Sequence, residues 1–463
     1  MKLSILGGGG FRVPYVYQAL LRDQGSPRID DVWLYDTDAE RLKAMTDVLA
    51  RFADDFPDAP KVTATTSLDS ALEGSDFVFA AIRVGGLAGR VCDERVALDL
   101  NVLGQETTGP GGLAYGLRTI PVMVDIARRV RELAPQAYVI NFTNPAGMIT
   151  EAMQTVLGDR VLGICDTPSG LGRRVSTSLG LDASRAQFDY VGLNHLGWMR
   201  RVLVDGEDVL PRLLADDDLL GDLEEGVVFG REWLRDLGLI PNEYLYYYYF
   251  NRDAVRSILD APRTRGEFLS RQQGEFYQRV TQAAGASPVE LWRETVANRS
   301  ANYMAEAKGT VQGETPPDEA FSPDPVHQGY AGVALSVMAA ISRNERATMI
   351  LNVRNGTTIA ALPADAVVEV PVTVDANGVH PLATTPPDLS QAGLMQQVKA
   401  VERLTISAAL TGSRADAVKA FSLHPLVDSV TVGRKLLDGY IDRIPEVAAV
   451  FHRSASASFE DGP

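Results

Sequence analysis

Two side chains that bind transition metals each follow a short apolar run. Cys165 comes after residues 160–164, and His195 comes shortly after residues 189–192. A thiolate and a neutral imidazole suit a divalent transition metal. Two protein ligands leave a site open, as catalysis requires. Each residue alone is more often structural, because a free cysteine is usually buried and inert. The pair therefore suggests a metal site without establishing it.

A cluster of tyrosines offers a possible proton acceptor. Tyr244 and the run 246–249 place five tyrosines within six residues. Most should be packing groups with satisfied hydroxyls. One could accept a proton if a nearby cation lowered its pKa.

Two arginines could bind an anion, since a guanidinium matches phosphate oxygens. They are Arg83, which follows an apolar run, and Arg265, which lies in a second basic cluster.

A polar turn ends another buried strand-like run. Residues 138–140 are apolar, Asn144-Pro145 stops the run, and residues 148–157 look helical. Ligands of open α/β sheets bind outside the carboxyl ends of the strands, so Asn144 could face a ligand. A capping or turn role is the alternative. The glycine-rich segment 104–112 is predicted to be a loop near the same ligand.

The N-terminus has the order strand, glycine-rich turn, helix. Residues 2–6 are apolar, Gly7, Gly8, Gly9 and Gly10 follow, and residues 14–21 look helical. Glycines there let the backbone approach a pyrophosphate at the helix N-terminus. Arg12 occupies the position of the third glycine in the usual fingerprint. Asp36 ends the next strand, where an acid binds ribose hydroxyls. A nucleotide site is favoured, with a helix-capping role for Asp36 as the alternative.

Composition limits the possible partners. The chain has 463 residues, 45% apolar content and a formal charge of −16. This acidity disfavours nucleic acid and anionic membranes as partners. Two cysteines make a disulfide framework implausible, and no apolar run approaches the ~20 residues of a membrane span. A strand-like start leaves no room for a signal peptide, so a cytoplasmic protein is expected.

The order of elements predicts an α/β protein. We expect an N-terminal Rossmann-like parallel sheet over residues 1–195 and an α+β substrate and oligomerisation domain over residues 196–453, an architecture like that of lactate and malate dehydrogenases. The small, polar tail 454–463 is predicted to be disordered.

Several segments, taken together and in order, resemble glycoside hydrolase family 4, the NAD- and divalent-metal-dependent glycosidases. The segments are residues 7–9, 82–86, 104–107, 141–147, 165–168 and 192–195. The resemblance extends over nearly the whole chain. Within the family, the sequence is most similar to the 6-phospho-β-glucosidases, especially from Arg83 to Asn144.

The resemblance implies roles for individual residues. Cys165 and His195 would bind Mn²⁺ or a similar metal, and Tyr244 looks like the catalytic base, although Tyr246 and Tyr247 are close enough to leave the register open. Asp166 resembles the acid of the α-phosphoglucosidase branch, where the β branch usually has asparagine. The remaining roles are substrate contacts by Asn144, Arg83 and Arg265, and NAD binding by Gly7, Gly8, Gly9 and Asp36.

The resemblance also implies an unusual hydrolysis, which is an exception to the two-carboxylate scheme. Hydride leaves C3 for NAD, a base removes the acidified C2 proton, the aglycone is eliminated, water adds and hydride returns. The expected substrate is a 6-phospho-β-glucoside, and a homodimer or homotetramer is expected. Alternatives are a 6-phospho-α-glucoside, a sulfonated or unphosphorylated glycoside, an NAD-dependent dehydrogenase, or a non-catalytic NAD sensor.

Overall fold

A computed structural model describes residues 1–282, 287–309 and 329–457. Its strands are β1 Lys2–Leu6, β2 Asp31–Tyr35, β3 Lys61–Thr65, β4 Phe77–Ala80, β5 Tyr138–Asn141, β6 Val161–Gly163, β7 Gln187–Leu193, β8 Leu196–Val204, β9 Glu207–Asp208, β10 Ile240–Pro241, β11 Ala347–Arg354, β12 Val367–Asp375 and β13 Gly378–Pro381. The first six are parallel, in the order β3-β2-β1-β4-β5-β6. This confirms the predicted N-terminal Rossmann-like sheet.

The later strands extend the same sheet in the antiparallel sense. Strand β11 joins β6 where Asn352 faces Gly163, and β12, β7, β8 and β10 follow in that order. The predicted domain boundary at residue 195 falls in the turn of the β7–β8 hairpin. The sheet is continuous across this point, and the division at residue 195 stays a prediction.

Helices occupy most of the remaining described chain. They are α1 Val13–Arg22, α2 Ala39–Ala53, α3 Leu68–Leu72, α4 Gly86–Leu98, α5 Pro110–Leu133, α6 Ala146–Leu157, α7 Thr167–Ser178, α8 Leu210–Ala215, α9 Asp217–Asp222, α10 Glu224–Phe229, α11 Arg231–Leu237, α12 Tyr246–Tyr249, α13 Asn251–Asp260, α14 Arg265–Gln282, α15 Pro288–Ala301, α16 Ala305–Lys308, α17 Gly329–Arg343, α18 Leu389–Thr411, α19 Arg414–Leu423, α20 Val430–Arg443 and α21 Pro445–Ala457. Together with the mixed sheet, they confirm the α/β class with a C-terminal α+β part.

Two segment predictions differ from the structure. The glycine-rich segment 104–112 is not a loop throughout, because α5 begins at Pro110, where proline suits the first helical turn. Helix α21 extends to Ala457 and so covers the first residues of the predicted disordered tail 454–463. The rest of that tail, 458–463, lies outside the described residues.

The parallel strands are buried on both faces. Leu3 and Ile5 pack with α1, whereas Val78 and Val139 pack with α5 on the opposite face. Because helices cover both faces of the sheet, these strands are apolar throughout, which is typical of parallel sheets. Polar and reactive residues are therefore concentrated where the strands end. Among the described helices, none is both long and apolar enough to cross a membrane.

Candidate active site

A cavity of about 550 Å³ lies at the carboxyl ends of the parallel strands. Six of the predicted site residues line it: Asn144, Cys165, Asp166, His195, Tyr244 and Arg265. They come from five separate segments. Asn144 and Cys165 meet because they follow the neighbouring parallel strands β5 and β6, which end at the same edge of the sheet. Arg83, the three glycines and Asp36 do not line this cavity.

The two predicted metal ligands are held by adjoining elements. Cys165 is buried just after β6, and burial, together with the charges of Glu369 and Asp166, raises the pKa of its thiol. His195 lies in the β7–β8 turn with a φ of 62°, a left-handed conformation uncommon for residues with a side chain. Its Nδ1 lies 3.1 Å from Thr107 Oγ1, which leaves Nε2 available for a metal.

Tyr244 faces the predicted metal ligand His195. Their rings are stacked, with centroids 3.8 Å apart and an interplanar angle of 7°. Burial and the neighbouring Glu243 raise the pKa of Tyr244. The tyrosine would therefore need a nearby cation to lower its pKa before it could act as a base.

The other four tyrosines of the cluster have packing or hydrogen-bonding roles. Tyr247 Oη donates to Glu306 Oε1 (2.5 Å), and Tyr246 donates to the Glu306 carbonyl oxygen (3.4 Å). Tyr249 Oη accepts from Trp198 Nε1 (2.9 Å), and Tyr248 stacks on His424. Tyr244 alone of the five stacks on His195, which favours it as the base.

A carboxylate and a second tyrosine support Tyr244. Tyr303 Oη donates to Glu243 Oε1 (2.6 Å) and lies 3.0 Å from Tyr244 Oη. Burial, with the charge of Glu224, raises the pKa of Glu243 to about 7. No motif in the sequence marks Tyr303, which lies 59 residues from Tyr244 and meets it only through folding.

The two asparagines of the Asn141–Asn144 turn have different roles. Asn141 holds the turn: its Oδ1 accepts from Thr143 N, and its Nδ2 donates to Thr143 O and Thr150 Oγ1. Asn144 Oδ1 is buried and accepts no hydrogen bond from the described residues. Because buried polar atoms are normally satisfied, this oxygen is available for a ligand in the cavity.

Asp166 lies at the N-terminus of α7 but does not cap it. Its side chain accepts no hydrogen bond from the first turn of that helix, and the residue lines the cavity. The carboxylate is therefore available to the contents of the cavity. This arrangement fits an acid that acts on a ligand better than it fits a helix cap.

The predicted nucleotide residues meet beside β1 and β2. Gly7 has a φ of 88°, and a Cβ there would lie 2.5 Å from the Ala81 carbonyl oxygen, so only glycine fits. Asp36 Oδ2 accepts from Gly9 N (3.0 Å). Its Oδ1 also accepts from Asp38 N. The helix-capping alternative for Asp36 is wrong, because Asp38 caps α2. Each carboxylate oxygen of Asp36 keeps a lone pair that ribose hydroxyls could use.

Arg83 pairs with a carboxylate on the cavity wall. Its Nη1 lies 2.7 Å from Glu106 Oε2, and Arg90 Nη1 lies 2.7 Å from Glu106 Oε1. Burial acts to raise the pKa of Glu106, but the two arginines outweigh it and hold the pKa below its usual range. Since Arg83 does not line the cavity, its predicted contact with a substrate phosphate stays a prediction.

Three arginines give the cavity an excess of positive charge. Arg12 and Arg299 form no ion pair with any described residue, and Arg265 donates to the carbonyl oxygens of Asn302 and Arg299. Burial and the charges of Arg12 and Arg265 lower the pKa of Arg299 to about 9. Burial and Arg90 lower the pKa of Arg265 to about 10. The cavity therefore favours an anion.

Only one of these newly found arginines is marked by a sequence motif. Arg12 is marked in the sequence, because it replaces the third glycine of the dinucleotide fingerprint. In the structure its guanidinium lies over the rings of Phe142 (4.3 Å) and Tyr330 (4.8 Å). Arg299 has no motif signal. It reaches the cavity from α15, whose position depends on long-range packing.

The donor set fits both expected cofactors. A thiol and an imidazole with one free nitrogen suit a divalent transition metal and leave positions open for the oxygen ligands of a substrate. The glycine turn and Asp36 fit a dinucleotide, and Phe11 and Arg12 connect this turn to the cavity. Cys165 and His195 would hold the metal, and Gly7, Gly8, Gly9 and Asp36 would hold NAD.

The sheet, the glycine-rich first turn and the reactive cavity define an α/β enzyme. Residues 2–181 match the sequence profile of family 4 glycosyl hydrolases, and residues 190–427 match the profile of the family's C-terminal domain. The chain belongs to glycosyl hydrolase family 4, which confirms the resemblance.

Individual relatives cover nearly the full chain. A 6-phospho-beta-glucosidase of Escherichia coli is 32% identical, covering 93% of this chain and 92% of its own. A maltose-6'-phosphate glucosidase of Bacillus subtilis is 30% identical, covering 95% of each. The solved structure of a Thermotoga maritima 6-phospho-beta glucosidase with manganese, NAD⁺ and glucose-6-phosphate is 28% identical, with a TM-score of 0.80, covering 96% of this chain and 99% of that one.

Proposed function

We propose that this protein is an NAD- and divalent-metal-dependent glycosidase that hydrolyses 6-phosphoglucosides, with a preference for β-linked substrates. The observation that carries the proposal is a single cavity that holds Cys165, His195 and Tyr244 together with Arg12 and Arg299, two guanidinium groups that form no ion pair with the described residues. Cys165, His195 and Tyr244 suit metal-assisted proton abstraction, and the two arginines suit a phosphate. Relatives named 6-phospho-beta-glucosidase and 6-phospho-alpha-glucosidase support the phosphorylated substrate.

The protein's own residues have separable tasks in this reaction. When bound, NAD can accept and return a hydride, and the metal can act as a Lewis acid. Tyr244, deprotonated beside a bound cation, takes the C2 proton of the sugar on Oη, and Tyr303 and Glu243 fix the position of that oxygen. Asn144 Oδ1 accepts from a sugar hydroxyl. Arg12 and Arg299, together with Arg265, bind the phosphate and orient the ring.

The linkage of the substrate has a specific alternative. Asp166 lines the cavity with a carboxylate that does not cap α7, where the β branch of the family usually has asparagine. An acid there could donate a proton to the leaving oxygen of a 6-phospho-α-glucoside. This observation makes the α-linked substrate the second candidate.

A substrate comparison tests the proposal. Purified protein with NAD, Mn²⁺ and a reductant is given nitrophenyl β-glucoside 6-phosphate, its α-anomer and the unphosphorylated β-glucoside, each with and without EDTA. We expect turnover of the β-phosphate alone and its loss with EDTA. Turnover of the α-phosphate alone would transfer the assignment to the α branch. Inactivity on both phosphorylated substrates would contradict the phosphoglucosidase assignment.

Three broader expectations belong to the same proposal. The protein is predicted to act in the cytoplasm, to assemble as a homodimer or homotetramer, and to divide near residue 195 into a nucleotide-binding and a substrate part. Support for the last comes from the two family profiles, which meet between residues 181 and 190.

A further inference from the structure

A carboxylate that the proposed reaction does not use is buried near the candidate metal ligands. Glu369, on β12, is fully buried and forms no ion pair with any residue that the structure describes. Its three hydrogen-bond donors are neutral: Asn352 Nδ2 (2.8 Å), Tyr190 Oη (3.0 Å) and Asn194 Nδ2 (3.2 Å). Burying a carboxylate without a cationic partner is costly, and burial raises the pKa of Glu369 to about 7. A nearby cation would therefore stabilise its charged form.

Hydrogen bonds connect Glu369 to two segments of the active site. The first bond runs to Asn194, the residue before His195 in the strained β7–β8 turn. The second runs to Tyr190 Oη, which also accepts from Asn242 Nδ2 (3.3 Å), and Asn242 Oδ1 accepts from Tyr244 N (3.1 Å). One buried carboxylate thus supports the backbone at both His195 and Tyr244.

Glu369 also affects the other candidate ligand. Its side chain lies close enough to Cys165 for the two groups to interact electrostatically. A divalent cation bound by Cys165 and His195 would be attracted by the charge of Glu369. Burial in a low-dielectric region strengthens this attraction, because few solvent molecules screen it.

We propose that Glu369 is a positioning residue of the metal site: it fixes the turn that carries His195 and contributes the buried negative charge that a divalent cation offsets. This inference rests on the proposed function, because it requires a metal at Cys165 and His195. Carboxylates that support metal-binding histidines indirectly are worth roughly 10- to 100-fold in metal affinity. Loss of the charge should therefore weaken metal binding without altering the NAD site.

The test uses Glu369→Gln in the full-length protein, which keeps the shape and removes the charge. Apo protein is titrated with Mn²⁺ under reducing conditions, and free Mn²⁺ is measured by electron paramagnetic resonance. We expect a roughly 10- to 100-fold higher Kd for Mn²⁺. NAD affinity and the thermal midpoint of the apo protein should stay close to those of the wild type, which a merely structural defect would not allow.

Tyr190→Phe provides a second variant that keeps the charge of Glu369 but cuts its link to Asn242. We expect a measurable loss of Mn²⁺ affinity that is smaller than in Glu369→Gln. If Glu369→Gln does not fold, an unchanged Mn²⁺ affinity in Tyr190→Phe overturns the inference. Wild-type affinity in both variants overturns it and leaves the proposed function intact. A wild type that binds no Mn²⁺ overturns both the inference and the metal site of the proposed function.

Discussion

At the scale of single residues, the stacking of Tyr244 on His195 separates one tyrosine from four neighbours of the same type. The sequence left the register between Tyr244, Tyr246 and Tyr247 open, since all three lie within four residues. The structure assigns Glu306 as the hydrogen-bond partner of Tyr246 and Tyr247 and leaves Tyr244 beside the candidate metal ligand. The base assignment therefore depends on side-chain placement that spacing alone does not reveal.

Replacing Tyr244 by phenylalanine should lower kcat by roughly 10²–10⁴-fold, the usual contribution of a general base. The ring can still stack on His195, so Mn²⁺ and NAD affinities should be unchanged. Tyr248→Phe is the matched control, because Tyr248 stacks on His424 and does not line the cavity. Full activity in Tyr244→Phe, measured by nitrophenol release, would assign the proton transfer to another group.

Replacing Arg299 by glutamine should raise KM for the phosphorylated substrate by roughly 10- to 150-fold. A hydrogen bond between charged groups contributes about 1.5–3 kcal/mol, and Arg299 has no competing ion pair in the described structure. The control is Arg256→Gln, on the exposed face of α13 and paired with Asp253. Equal KM values for Arg299→Gln and the wild type would place the phosphate elsewhere in the cavity.

Residues at strand ends could be predicted from the sequence, whereas those that support them could not. Cys165, His195 and Asn144 follow recognisable apolar runs, and the ends of neighbouring strands must converge. Glu369 lies inside a strand with apolar neighbours, and no local pattern indicates that it faces Asn194. Tyr303 and Arg299 come from helices whose position depends on tertiary packing.

At the scale of elements, the alternation of strands and helices up to residue 163 was evident from the sequence. Strand β6 has only three residues, and its pairing with β11 depends on a register that places Asn352 opposite Gly163. This antiparallel contact is short and joins strands that are far apart in the sequence, so no periodic pattern in the sequence predicts it. The sequence therefore indicates the α/β class with a C-terminal α+β part, but not the continuous mixed sheet.

His424, directly after α19, makes this region sensitive to acid. Burial lowers the pKa of His424 to about 3 from an ordinary 6.5. The unfolded chain therefore binds more protons between these values, and the free energy of unfolding falls as pH drops below 6.5. Between about pH 7 and pH 5, this one group should cost ~2 kcal/mol of stability.

His424→Asn should remove that contribution, because asparagine does not titrate and its Oδ1 can replace Nδ1 as the acceptor from Leu426 N. Denaturant unfolding at both pH values measures the effect. The variant and the wild type share all other titrating groups. The difference between them in how the free energy of unfolding changes with pH is therefore due to His424. Parallel pH profiles would contradict the low pKa.

At the scale of the whole molecule, one sheet connects the glycine turn to the cavity that holds the reactive residues. Strand β1 leads through the turn to Phe11 and Arg12 on the cavity wall, while β6 and β7 lead to Cys165 and His195. A nucleotide at the turn could therefore reach the same cavity as the metal. A glycosidase that recycles its nucleotide requires this common position, whereas a passive sensor does not.

The most direct test of this account measures nitrophenol release and NADH absorbance together, with nitrophenyl β-glucoside 6-phosphate, Mn²⁺ and NAD substoichiometric to substrate. We predict many turnovers per NAD with no net accumulation of NADH, because the hydride returns to the sugar in each cycle. NADH that accumulates in proportion to substrate consumed would contradict the account and identify a dehydrogenase. NAD binding without either signal would identify a sensor.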